Sequence, residues 1–387
     1  MSARPHIIGL AHTRFGKLDA SLEDLITQVA REAMTDAGVE PAQIDAVYVG
    51  NFNSGMYDQE FPAPLALQAH PDLRFTPTTR VENACASGSA ALHQGLDRIE
   101  AGRARRVLVI GAEKMTEAGP ERIARGLLGA SYRPESADVP AGFAGIFAEV
   151  ARQYFARYGD QSDALAAIAA KNHANGVHNP FAQLRKELGV AFCREVSDRN
   201  PVVAGPLKRT DCSPVSDGAA ALVLAAPDVP ARRRVAIAAR TQATDYLPLS
   251  RRDVTRLDGA GHAWGKALQQ AGVGLDDLAF AEVHDCFTIA ELMIYESLGL
   301  TPPGQGRRAI EEGWVMKDGR LPINPSGGLK AKGHPVGATG VSMHVMAAKQ
   351  LLGEAGDFQL PGARRGAVFN MGGMAVANYA SILEAVD

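Results

Sequence analysis

One arrangement recurs in this chain and narrows what it can fold into. A glycine-rich turn runs into a nearly uncharged helical stretch, and a strand pair of small residues follows later. In the first half Cys85-Ala86-Ser87-Gly88-Ser89 opens the run from Ala90 to Ile99, and the half closes on Ser216-Asp217-Gly218-Ala219-Ala220-Ala221-Leu222-Val223-Leu224. In the second half Gly333 to Gly340 opens Val341 to Leu352, and the close is Gly372-Gly373-Met374-Ala375-Val376-Ala377-Asn378-Tyr379-Ala380. A helix without a polar face is covered on every side. The two helices are therefore expected between sheets, N-termini converging, with Cys85 near His334. Such similarity between halves is the mark of an internal duplication.

The rest of the pattern is α/β, with short apolar runs alternating with helical ones. Strands are expected at His6 to Leu10, Ala46 to Val49, Val107 to Ile110, Ala219 to Leu224, Val235 to Arg240, Leu278 to Val283 and Ala367 to Phe369. A chain of 387 residues exceeds one ordinary core. The polar, proline-marked stretch Pro227 to Arg234 divides it into an N-terminal half, 1–229, and a C-terminal half, 233–387. The first half is longer because a region at about 117–205 reads as an insertion. It carries loop signals at Arg133-Pro134-Glu135-Ser136 and helical stretches from Phe143 to Tyr158 and from Ala164 to Asn172.

Composition excludes several classes. With 46% hydrophobic residues, 21% charged and a net charge of -3, the chain has neither a disordered profile nor the basic tracts of a nucleic-acid binder. Cysteines 85, 193, 212 and 286 form no CxxC pair or zinc spacing, so neither disulfides nor a metal site is expected and a reducing compartment fits. No apolar segment has the length of a membrane span or a signal-peptide core, which reads as a cytoplasmic protein. The glycine-rich stretch from Gly327 to Gly340 lacks the Gly-Lys-Ser/Thr ending of a phosphate loop.

Cys85 is the candidate nucleophile. It precedes a helix whose N–H groups favour a thiolate, and its small neighbours leave room for an acyl group. A buried structural thiol is the alternative for a lone cysteine. Against it stand two further glycine-rich clusters bearing His284, Cys286 and His334, which together with Cys85 suit acyl transfer.

These motifs carry a resemblance. Cys85-Ala86-Ser87, Lys171-Asn172-His173 with Asn179-Pro180, Ser216-Asp217-Gly218-Ala219-Ala220, His284-Asp285-Cys286-Phe287, and Asn324-Pro325-Ser326-Gly327-Gly328 followed by Gly333-His334-Pro335 stand in order across the whole length. In this the chain resembles the thiolases, nearest the sterol-carrier-protein-type and archaeal acetoacetyl-CoA branch. The resemblance implies two fused βαβαβαββ halves in a five-layered αβαβα sandwich, with a helical loop domain inserted in the first. It also implies a homodimer or dimer of dimers. It departs from the two-cysteine thiolases at the C-terminal turn, where Asn370-Met371-Gly372 stands for their Cys-x-Gly.

By resemblance Cys85 takes the acyl group, His334 holds its proton, and Cys286 replaces the missing acid/base thiol. His284 and His334 donate to the thioester oxygen, and the backbone N–H groups of Cys85 and Gly372 form an oxyanion site. Ser213 matches a serine on the pantetheine arm and Phe287 a pocket-wall aromatic. His173 and His178 are expected to be structural. The implied reaction interconverts a 3-oxoacyl-CoA and CoA with two acyl-CoAs, with CoA esters as substrates and no cofactor. Two alternatives stay open: a thiolase-like carbon–carbon lyase or condensing enzyme, and a CoA-ester-binding subunit dependent on a small OB-fold or zinc-ribbon partner.

Overall fold

The computed structural model describes residues 4–386. In chain order the first half runs β1 (His6–His12), α1 (Leu22–Ala37), β2 (Ala46–Gly50), β3 (Thr78–Val81), α2 (Ser87–Glu100) and β4 (Arg106–Glu113). An excursion follows: α3 (Pro120–Leu127), α4 (Arg133–Ser136), α5 (Phe143–Tyr158), α6 (Ser162–Val177), α7 (Val190–Arg194), and the short pair β5 (Val202–Ala204) and β6 (Leu207–Lys208). Strand β7 (Gly218–Ala225) then returns to the sheet. The second half is β8 (Val235–Thr244), α8 (Asp258–Ala271), β9 (Phe280–Val283), α9 (Thr288–Ser297), α10 (Arg307–Glu311), α11 (Gly328–Lys332), α12 (Thr339–Leu352), β10 (Arg365–Gly372) and β11 (Ala377–Ala385).

Nine strands form one sheet in the order β3-β2-β4-β7-β1-β8-β11-β10-β9. The halves join where His6 and Ile7 of β1 pair with Ala236 and Val235 of β8. Going outward from that seam, each half has two antiparallel neighbours and then a parallel one. The first half ends on the parallel edge strand β3. The duplication is incomplete here: the third strand of the second half shrinks to a single parallel bridge between Ala281 and Ile323.

Alternation along β4 shows why the sheet needs cover on both faces. Val107 and Val109 join the core that holds α2 and α12, whereas Leu108 and Ile110 join the core around α1. Helix α1 has one apolar face and starts at a capping box, Ser21 with Asp24, before ending on left-handed Gly38. Helix α12 is buried almost all round, as is its counterpart α2 over its first turns. They form the middle of five layers, with α1 and α8 outside. Contact at their crossing demands glycine: a Cβ on Gly88 would lie 2.8 Å from Val341 N, and one on Gly340 would lie 2.3 Å from Ser89 N. Gly88, among the small residues around Cys85, thus serves helix-to-helix contact.

In the excursion, Arg133-Pro134-Glu135-Ser136 is not a loop but a one-turn helix, because proline is preorganised for a first helical turn. No helix among the described residues is long and apolar enough to cross a membrane.

Candidate active site

Cys85 sits in the turn from β3 to α2. The turn is tied by Asn83 N–H to Ser87 Oγ at 2.9 Å and by Ser87 Oγ–H to Ala84 O at 2.6 Å. Ala84 takes a positive φ of 50° to make the bend, a conformation costly for a residue with a Cβ. His284 follows the end of β9, and His334 lies between α11 and α12. Fold topology brings these three loops together: Cys85 Sγ and one ring nitrogen of each histidine lie within 4.8 Å of one another, all buried. The two imidazoles meet edge-to-face with centroids 5.1 Å apart.

Hydrogen bonds assign the ring protons. Thr339 Oγ1 donates to Pro335 O at 3.1 Å, so at 2.6 Å from His334 Nδ1 it accepts, and His334 carries its proton on Nδ1. Its Nε2 is left as a base. Asn370 Nδ2 donates to Cys85 O at 3.2 Å while Asn370 Oδ1 accepts from Ser89 Oγ at 2.8 Å, which orients the amide. The same Nδ2, 2.9 Å from His284 Nδ1, therefore donates to it, and His284 carries its proton on Nε2. That Nε2 is buried and has no protein partner. Two adjacent imidazoles are thus held in opposite tautomers, one a base and one a donor.

Burial sets the resting charges. It lifts the Cys85 thiol to about 12, although the N–H groups of Gly373 and Cys85 itself pull the other way. Burial, reinforced by Lys332, lowers His334 to about 3. Burial followed by His334 lowers His284 well below its ordinary value. The pair therefore rests as thiol and neutral imidazole, correcting the thiolate expected from the helix start. The Gly373 N–H acts on the thiol, next to the Gly372 N–H expected at the acyl oxyanion. Gly372 is required for packing, since a Cβ there would lie 2.3 Å from Asn83 O.

Cys286 is buried in the β9–α9 loop, where burial, then Cys85 and Asp285, raise its thiol well above the usual range. The loop is pinned by Asp285, whose carboxylate accepts from Leu329 N at 2.6 Å, Lys330 N at 3.1 Å and Asn172 Nδ2 at 2.8 Å. Ser213 N–H donates to Cys286 O at 2.9 Å. Ser216 Oγ accepts from His334 N–H at 3.0 Å. Phe287 is buried and stacks on Phe147 with centroids 4.5 Å apart. His173 is buried with Nδ1 at 3.2 Å from Lys186 O, whereas His178 is exposed.

A cavity of about 660 Å³ lies between the excursion and the second half, with none of Cys85, His284, Cys286 or His334 among its walls. Phe143, Ile146 and Ala148 of α5, Gly205 after β5, Leu249 and Met374 line it. Ser213 and Phe287 are not among its walls. Asn370, noted in the sequence only as a missing cysteine, proves to orient His284. A side chain with both a donor and an acceptor at that turn was the available signal. Among the described residues, Cys85, His284 and His334 are also the one cluster able to ligate a metal.

Comparisons with known proteins agree with this geometry. The family described as "Thiolase, N-terminal domain" matches residues 6–228, and "Thiolase C-terminal domain-like" matches residues 241–385. An acetyl-CoA acetyltransferase of Methanothermobacter thermautotrophicus is 39% identical over 95% of this chain and 96% of its own. Human sterol carrier protein 2 is 31% identical over 95% of this chain and 70% of its own. Among solved structures, the Ltp2-ChsH2(DUF35) aldolase superposes with a TM-score of 0.82 at 22% identity, covering 99% of this chain and 98% of that one. Human mitochondrial 3-ketoacyl-CoA thiolase in complex with CoA gives 0.71 at 18% identity, covering 100% and 99%. The chain belongs to the thiolase family.

Proposed function

We propose that the protein transfers acyl groups between CoA thioesters through an acyl-cysteine at Cys85. The observation that carries this reading is the opposed tautomers of His284 and His334 beside that thiol. In the cleavage direction, Cys85 Sγ attacks the 3-oxo carbonyl of a 3-oxoacyl-CoA while its proton passes to His334 Nε2. The bond between the acyl carbon and the α-carbon breaks, leaving the acyl group on Cys85 and an acetyl-CoA enolate. His284 Nε2–H donates to the enolate oxygen. Cys286, protonated at rest, gives its proton to the enolate carbon and releases acetyl-CoA. The thiol of a second CoA then attacks the acyl-cysteine, its proton passing to the Cys286 thiolate, and His334 returns its proton to Cys85. Every group ends as it began.

Because every group ends as it began, the same resting protonation starts condensation, which is this sequence reversed. The acyl oxyanion is assigned to the N–H groups of Cys85 and Gly372, beside the Gly373 N–H that acts on the thiol. Ser213 is assigned to the pantetheine arm, and the cavity to the acyl group. Proton transfer within this set needs neither metal nor organic cofactor. A retro-aldol reaction has no use for an acyl-cysteine beside a second thiol, and the pairing of Cys85 with Cys286 favours acyl transfer.

The unpaired edge of β3 suits pairing with a second copy, and we assign a homodimer. A DUF35-type partner is supported by the fold shared with the Ltp2-ChsH2(DUF35) aldolase. Four free cysteines fit a reducing cytoplasm and acyl-CoA metabolism.

The test is trapping. Incubation with acetyl-CoA followed by peptide mass spectrometry is expected to place acetyl on Cys85, and Cys85→Ser to abolish it along with thiolysis of acetoacetyl-CoA. Acetyl on another cysteine, or turnover by the variant near the wild-type rate, overturns the reading.

A further inference from the structure

A second cavity, of about 610 Å³, lies on the other side of the β5–β6 pair and shares no lining residue with the first. The end of α6, the segment through α7, the turn after β6 and α11 enclose it. Lys330 lines it at 2% exposure, and its ammonium has no hydrogen-bond or ion-pair partner among the described residues. Other buried lysines differ: Lys114 pairs with Asp217 at 3.0 Å, Lys171 with Glu291 at 2.6 Å and Lys208 with Asp211 at 3.0 Å. Asp285 and Asp211 act on the Lys330 ammonium only from beyond ion-pair distance, and burial draws its pKa down, so an anion in the cavity would supply the direct partner it lacks.

The mouth of the cavity continues the charge. Lys186, Arg199 and Arg209 are exposed on its rim without ion pairs, and with Lys330 they outnumber the two rim acids, Glu187 and Asp198. The Arg199 guanidinium lies 5.5 Å from the centroid of the Phe192 ring, which offers an aromatic wall. Arginines match phosphate oxygens in pairs, and the volume falls in the range of small-molecule sites. The Lys330 N–H is held by Asp285, between His284 and Cys286, so this cavity backs onto the catalytic loop.

We propose that this cavity binds a phosphate-bearing organic anion of nucleotide size, separate from the thioester site, with Lys330 as its inner contact and Arg199 and Arg209 at its mouth. The proposal goes beyond the acyl-transfer reading and does not depend on it.

The test uses ADP as probe on the full chain, by calorimetric titration. ADP is expected to bind with one-to-one stoichiometry and more tightly than inorganic phosphate. Lys330→Met and the double variant Arg199→Ala/Arg209→Ala are each expected to weaken it about tenfold or more. The double variant changes only exposed side chains, so it reads the site even if Lys330→Met folds poorly. Saturating ADP is expected to leave acetyl transfer from acetyl-CoA to Cys85 unchanged. The proposal is overturned by absence of ADP binding at millimolar concentration, by affinity unaltered in the double variant, or by phosphate binding as tightly as ADP. Displacement of acetyl-CoA by ADP also overturns it, since the anion would then be CoA's own phosphates. All four outcomes leave the acyl-transfer reading standing.

Discussion

Thr339→Val tests the base assignment directly. The substitution keeps the volume and branching of the side chain in α12 and removes one hydroxyl. In the native protein that hydroxyl accepts from His334 Nδ1–H at 2.6 Å and donates to Pro335 O at 3.1 Å. Without it, the tautomer that leaves Nε2 free has a buried, unpaired N–H, at a cost of about 1 to 3 kcal/mol. At 1.36 kcal/mol per tenfold, the base-competent tautomer falls by about 5-fold to 150-fold, and the rate of Cys85 acylation with it. Quenched-flow mass spectrometry of acetyl-Cys85 formation reads that step alone. Thr339→Ser retains the hydroxyl and is expected to stay near the wild-type rate. The reasoning fails if Thr339→Val acylates within about threefold of wild type, or if the serine variant is equally slow.

Cys286→Ala is expected to spare acylation of Cys85 by a 3-oxoacyl-CoA, a step that takes no proton from Cys286, while slowing deuterium exchange into the methyl group of acetyl-CoA by about 10² to 10⁴-fold; unchanged exchange would give that proton transfer to another group. Iodoacetamide labelling of Cys85 is expected to rise tenfold per pH unit to beyond pH 9 with no inflection from pH 5 to 8, because the thiol sits at about 12 and His334 at about 3. A plateau in that range would reveal a resting thiolate–imidazolium pair instead. Glu113, buried and raised to about 7 chiefly by burial, accepts N–H bonds from Phe52 at 2.9 Å, Asn53 at 3.0 Å and Gly337 at 2.8 Å. Its carboxyl holds a proton more tightly folded than unfolded, so its contribution to stability is full below pH 4.5 and lost as pH rises through 7. Glu113→Gln is expected to cost about 1 to 3 kcal/mol for each N–H it orphans and to flatten that slope in urea melts from pH 4 to 8; an unflattened slope would assign the titration elsewhere.

Sequence by itself determined what depends on local pattern and motif order. The runs of apolar residues indicated β1, β2, β4, β7, β8, β9 and β10 and the helix Phe143–Tyr158, and the near absence of charge in Val341 to Leu352, Lys349 apart, pointed to a helix buried on all sides. The order of the cysteine and histidine motifs was enough to indicate the family. Tertiary structure decided everything that depends on which groups face each other. Asn370 and His284 are far apart in sequence, and only adjacency of β10 and β9 turns an apparently missing cysteine into the amide that orients an imidazole. The charge of Cys85 likewise escaped local reasoning. A helix N-terminus favours thiolate, but five layers of cover remove the water that would solvate it, and desolvation outweighs the dipole. The packing of α12 against Gly88 and the burial of Lys330 likewise depend on elements far apart in the chain. Contacts between residues distant in the chain leave no period to read, because they arise only when separate elements are packed.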